Sequence, residues 1–283
     1  MVNLKVLLFL IYTFIILTLS SCQSSENHFT IPGWNLIWQD EFNYNKEKLS
    51  EHWNFEEGYG SNGWGNDEWQ HYTRENTTVE SGNLVITTRL DGEMKKRNKS
   101  ITSSRIQTYQ KFDFKPGTKI IARIKLPWGQ GVWPAFWALG SNFYKVGWPS
   151  CGEIDILEMT GANPIDHEKN HTIHSTCHWN DVDDPKNYKH AQHGKSLELT
   201  KNFTDNYHIY ELNYHSDYIQ TKVDGKEIFK IDTGVGRLKK PFSKPFFLIL
   251  NVAVGGHWPG NPSNEIMFPQ KMHVDYIRAY QKT

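Results

Sequence analysis

After Pro32 the chain alternates apolar and polar residues in short runs broken by Gly, Pro, Asn and Asp, the period-two signature of half-buried β-strands. Such runs are Leu84–Thr88, Lys119–Leu126, Glu153–Glu158, His171–His178, Tyr207–Tyr214, Tyr218–Val223, Phe246–Val254 and Met272–Tyr280. Asp224-Gly225 separates two runs and reads as a tight hairpin turn. Long stretches with apolar residues every three or four positions, the mark of an amphipathic helix, do not occur. Many strands at turn-punctuated spacing, with no repeat and no compositional break, predict an all-β fold: one domain over 33–283, built as a two-sheet β-sandwich. The polar stretches Asp91–Ser104 and Asp181–Ser196 read as surface loops.

The first residues follow a different pattern. Lys5 precedes the apolar run Val6–Leu19, which is too short for a stable membrane span, so 1–21 reads as a cleaved signal peptide. It ends Leu19-Ser20-Ser21-Cys22, similar to a bacterial lipoprotein signal in which the cysteine carries the lipid. The expectation is a protein exported and lipid-anchored through Cys22 in the cell envelope, at the outer membrane, with 22–32 as a polar tether. An ordinary secretory signal with an incidental Cys22 is the alternative. Either route exports the chain to where a disulfide can form. Cys151 begins the Glu153–Glu158 run and Cys177 closes the next. If those strands form a hairpin through Gly161–Asn170, the cysteines meet at its open end as a disulfide; two buried free thiols are the alternative.

Charge and composition narrow the partners. The 31 basic and 31 acidic residues cancel, which leaves no basic stripe for nucleic acid. The 11 Trp, 13 Tyr and 15 Phe are plentiful; some serve the core, and a displayed Trp offers a flat apolar plate for a sugar ring. Nucleotide-binding glycine motifs and H-E-x-x-H are missing, so a carbohydrate ligand ranks above a nicotinamide or nucleotide.

The chemistry concentrates in Gly152–Met159, where three carboxylates interrupt an apolar strand. Alternation puts Glu153 and Asp155 on one face and Glu158 on the other; one bulge residue after Asp155 returns Glu158 to the face of its partners. Like charges that close repel and raise a pKa, a cost that catalysis explains. A retaining glycosidase needs two carboxyls roughly 5–5.5 Å apart, one as nucleophile and one as acid/base. Trp133 and Trp137, four apart on an extended segment, share a face suited to sugar stacking, with core packing as the alternative. Trp258 sits among Gly255, Gly256, Pro259 and Gly260, a loop that displays it. His174 alternates with Thr172 and Thr176 and can face the acids or serve the structure. His171, His174, His178, His190 and His193 lack a zinc-binding framework, so no catalytic metal is expected.

Glu153-Ile154-Asp155-Ile156-Leu157-Glu158 resembles the signature of glycoside hydrolase family sixteen, in the branch with a bulge before the second Glu. Other segments agree in order: Trp38–Phe42, Asn66–Thr73, Ser103–Ile106, Gly131–Trp137, Phe246–Gly260 and Val274–Arg278. The resemblance is closest to laminarinases and runs from Trp34 to the C-terminus. It implies a concanavalin-type jelly roll of two antiparallel sheets with a substrate cleft, acting as a monomer on β-1,3-glucan. It implies Glu153 as nucleophile, Glu158 as acid/base and Asp155 as the assisting carboxylate. Asn66 and Arg105 match positions that bind substrate hydroxyls. A structural calcium is implied as well, held by Glu41 and Asp275 with Gly82 as a carbonyl donor; oxygen ligands suit that ion. Rival readings are a hydrolase of mixed-linkage glucan, agarose or carrageenan, and a non-catalytic glycan-binding lipoprotein on the same sandwich.

Overall fold

The alternation resolves into strands throughout the computed structural model, which describes residues 29–161, 169–184, 186–263 and 268–283. The signal segment, Cys22 and the tether up to residue 28 lie outside the described residues, as does most of the Gly161–Asn170 connection. In chain order the strands are β1 (Trp34–Asp40), β2 (Asn54–Glu56), β3 (His71–Tyr72), β4 (Thr77–Glu80), β5 (Asn83–Leu90) and β6 (Ile101–Ser103). There follow β7 (Arg105–Gln107), β8 (Asp113–Phe114), β9 (Thr118–Lys125), β10 (Val132–Gly140), β11 (Glu153–Glu158) and β12 (Thr172–Asn180). The last six are β13 (His190–Glu198), β14 (His208–Tyr214), β15 (Tyr218–Val223), β16 (Lys226–Asp232), β17 (Phe246–Val254) and β18 (Gln270–Lys282).

Two sheets form, antiparallel except for the β3–β6 pair. One runs β16-β15-β14-β9-β18-β5-β6-β3, with β1 beside β18 and β4 beside β5. The other runs β13-β12-β11-β10-β17-β7-β2, with β8 beside β17. Strict alternation along β9, buried at Ile120, Ala122 and Ile124, marks a sheet with one face on the core and one toward water. Strand β17 is buried at all nine positions. Its Leu248, Leu250 and Val252 enter the core between the sheets, while Phe247 and Ile249 join Leu139 and Cys151 in a smaller cluster. Alternation assigns that second cluster to the opposite, open face of the sheet.

This division settles the cysteines. Cys177 packs in the core between the sheets and Cys151 in the smaller cluster, so of the two alternatives both cysteines are buried free thiols and no disulfide joins them. The hairpin itself is present, but Cys177 pairs with Ile154, three residues past Cys151. Two loop expectations also need correction. Asp91–Ser104 ends in a strand, with Ile101, Ser103 and Ser104 buried. Asp181–Ser196 contains most of β13, an edge strand whose mostly exposed residues have no reason to be apolar. Asp224 and Gly225 both take positive φ, 49° and 77°, as a tight hairpin turn requires.

Candidate active site

Strand β11 carries the predicted bulge. Against β10 the register passes from Phe136–Leu157 to Trp137–Asp155, leaving Ile156 without an opposite residue. Against β12 it slips between Asp155 and Glu158. Glu153, Asp155 and Glu158 therefore face one way, while Ile154, Ile156 and Leu157 lie in the core. A bulge leaves a backbone group off the ladder, and here a buried hydroxyl chain takes it up. Ser175 donates to the Asp155 carbonyl at 2.6 Å, and Thr221 of the other sheet donates to Ser175 at 2.8 Å.

Each acid has its own surroundings. Glu158 lies opposite His174 and accepts from Trp133 Nε1 at 3.0 Å. Glu153 lies opposite His178, whose Nε2 is 3.7 Å from Glu153 Oε1 and 3.1 Å from Asp155 Oδ2. Asp155 is 3% exposed, and its Oδ2 makes no hydrogen bond of good geometry despite that proximity. Burial raises all three carboxyls. Glu153 is pushed up to about 8 by burial and by the Asp155 charge, while His178 and Arg105 pull it back. Glu158 is raised well above the usual range by burial and then by Asp155. Asp155 is raised by burial. Arg105 and His178 both act on the Glu153 end of the row.

The other predicted residues separate into those that reach the row and those that do not. Trp137 lies opposite Asp155 and donates to Asn251 Oδ1 at 2.7 Å. Arg105 stacks between Trp64 and Trp137, 4.7 and 4.8 Å from the ring centres, and its Nε donates to Glu56. Trp258 is displayed as expected, 44% exposed, with its ring edge-on to Trp133 and His174 at 5.2 and 5.0 Å. His174 is thus beside Glu158, and burial lowers its pKa. Asn66 instead donates to Glu68, a buried acid held by Gln70 and Tyr72, while its carbonyl accepts from His257 N at 2.9 Å, beside Trp258.

Sequence reasoning missed His178, Glu56 and Asn251 as site residues. His178 shares its parity with His174, so pairing with Glu153 could have exposed it. Asn251 is the lone polar residue in Phe246–Val254, and a buried amide needs partners. Glu56 carries no comparable signal.

The two carboxylates expected to hold calcium are engaged by arginines. Both oxygens of Glu41 accept from Arg278, at 2.7 and 2.8 Å, and Asp275 accepts from Arg123 at 2.6 Å. Among the described residues, the group able to offer three metal donors is Glu153, Asp155 and His178, with donor atoms within 4.8 Å of one another.

The model of Glycosyl hydrolases family 16 matches residues 66–278. The chain belongs to this family. The family 16 chain is 41% identical over 255 residues to the clotting factor G alpha subunit of Tachypleus tridentatus, using 88% of its own length but spanning about a third (34%) of that protein. It is 33% identical over 285 residues to a beta-glucanase of Rhodothermus marinus, covering 95% of this chain and 93% of that protein. Among solved structures, the laminarinase catalytic domain from Thermotoga maritima MSB8 shares 39% identity and a TM-score of 0.77, covering 88% of this chain and 99% of that one. The family 16 assignment makes the two-sheet architecture a jelly roll.

Proposed function

We propose that the protein is an endo-acting β-1,3-glucanase that retains anomeric configuration. The observation that carries this reading is the bulge at Ile156, which puts three differently solvated carboxyls on one face. In the first step Glu153 attacks the anomeric carbon while Glu158 gives its proton to the glycosidic oxygen. The C–O bond breaks, one half leaves as an alcohol, and the other stays as an ester on Glu153. Glu158, now a carboxylate, takes a proton from water; the water oxygen attacks the same carbon and frees Glu153. Two inversions restore the β configuration.

The environments suit these roles. Asp155 favours the protonated form of Glu158. Glu153 faces His178 and Arg105, which favour ionisation. Trp258 and Trp133 provide aromatic surface at the Glu158 end, where a leaving sugar would rest. The likeness to the Thermotoga maritima laminarinase supports a β-1,3-linked glucan over agarose or carrageenan.

Proton NMR of laminarin digestion tests both points: the β-anomer should appear first, and lichenan, agarose and carrageenan should be cut more slowly. An α-anomer appearing first overturns Glu153 as nucleophile. Lipid attachment at Cys22 is proposed from the Lys5–Cys22 pattern alone. An alkyne fatty acid should label the wild-type protein and not Cys22→Ala; an unlabelled wild type returns the reading to plain secretion.

A further inference from the structure

Two histidines on the open face share a hydrogen bond that the steps above leave unused. His178 lies opposite Glu153 across β11–β12, and His190 lies opposite Asn180 across β12–β13, so the two are diagonal neighbours on one face. His178 Nδ1 is 2.9 Å from His190 Nε2, with ring planes inclined by 15° and centroids 5.1 Å apart. That separation is what two nearly coplanar imidazoles have when joined nose to nose through one N–H···N bond. Trp148 backs the pair, its ring 4.7 Å from His190 and 6.3 Å from His178. The other nitrogen of His178, Nε2, is the one that faces Asp155 and Glu153.

Only one hydrogen fits between the two facing nitrogens, so one ring donates and the other accepts. The acids decide which. With His190 as donor, a neutral His178 carries its hydrogen on Nε2, toward the two carboxyls. The reverse arrangement turns an Nε2 lone pair against the carboxylates in a poorly solvated pocket, where repulsion is weakly screened. The same bond limits the pair to one positive charge, because two imidazoliums would crowd two hydrogens into one gap.

We propose that His190 is a positioning residue for the acid row: it donates from Nε2 to His178 Nδ1, fixes the His178 hydrogen on Nε2, and thereby keeps Glu153 ionised for attack. The inference rests on the hydrolase reading of Glu153 above. Burial is the main cause that lowers the His190 pKa, which keeps it a neutral donor. The other groups facing Glu153 are Asp155 and Glu158 on its own strand, Arg105 from β7 and the Cys151 thiol at the strand's start. Arg105 helps ionisation and the acids oppose it, so losing the histidine contribution shifts the balance toward the protonated nucleophile.

Two variants separate the roles. His190→Phe keeps a ring beside Trp148 and removes the donor; His190→Gln keeps an N–H within reach of Nδ1. The acid limb of kcat/KM on laminarin should move up by about one pH unit in His190→Phe, a tenfold loss of ionised nucleophile at a fixed pH below the limb. KM should change by no more than about twofold, and His190→Gln should restore the limb. Two-bond nitrogen–proton NMR of the histidines should place the wild-type His178 hydrogen on Nε2 and show that preference lost in His190→Phe. A circular-dichroism melt checks that both variants fold. A wild-type hydrogen on Nδ1, or an acid limb unmoved in His190→Phe, overturns the proposal. If wild type leaves laminarin uncut, the proposed function fails, and the substrate-free NMR measurement still decides the role of His190.

Discussion

Trp133 donates to one oxygen of Glu158, so the proposed mechanism draws its proton from the other. Glu158→Gln keeps that contact and loses the proton. It should cut laminarin hydrolysis by roughly 10²–10⁴-fold, yet spare aryl glycosides whose leaving groups need no acid. Glu153→Gln should lose both activities, and a steady-state assay on the two substrates reads the difference. Asp155 raises the pKa of both its neighbours. Asp155→Asn should therefore let Glu153 ionise at lower pH and also let Glu158 lose its proton at lower pH. Both limbs of the kcat/KM bell should move toward acid, as a pH–rate profile would record. The identity of these acids is legible in six residues of sequence, because carboxylates in an apolar strand stand out. Their differences are not, because Trp133, His178 and Arg105 arrive from β10, β12 and β7.

At the scale of the element, β11 could be read almost whole: the parity mismatch of Glu158 already demands an extra residue, and Ile156 is that residue. Its partners were harder. Register is a property of two strands, so the pairing of Glu153 with His178 was hidden although alternation puts His174 and His178 on one side. Strand β13 was invisible because an exposed edge strand needs no apolar alternation and imitates a loop. The bulge also depends on a contact that alternation does not reveal. Ser175→Ala would leave the Asp155 carbonyl and the Thr221 hydroxyl without their buried partner, which should cost about 1–3 kcal/mol. Urea unfolding measures that loss. A companion fall in kcat at constant KM would show that the hydroxyl holds the spacing of the acids as well as the fold.

Across the whole molecule, the fold class followed from strand count and the absence of helical periodicity, whereas long-range pairings did not. Cys151 and Cys177 are close in the hairpin but occupy separate hydrophobic clusters. Reductant should leave the melting temperature unchanged, and both thiols should react with a thiol reagent only after denaturation. Glu41 and Asp275 illustrate the same limit: as carboxylates they suit calcium, but Arg278 and Arg123 already neutralise them. The chain from Thr221 through Ser175 to Asp155 crosses from one sheet to the other and ends on β11, the strand of the three acids. The thickness of the sandwich is thereby geared to the placement of the acids. Repacking the interior from the far side, as thermostabilising selection tends to do, would retune turnover without touching the cleft, so heat tolerance and catalytic rate are not independent dials in this scaffold.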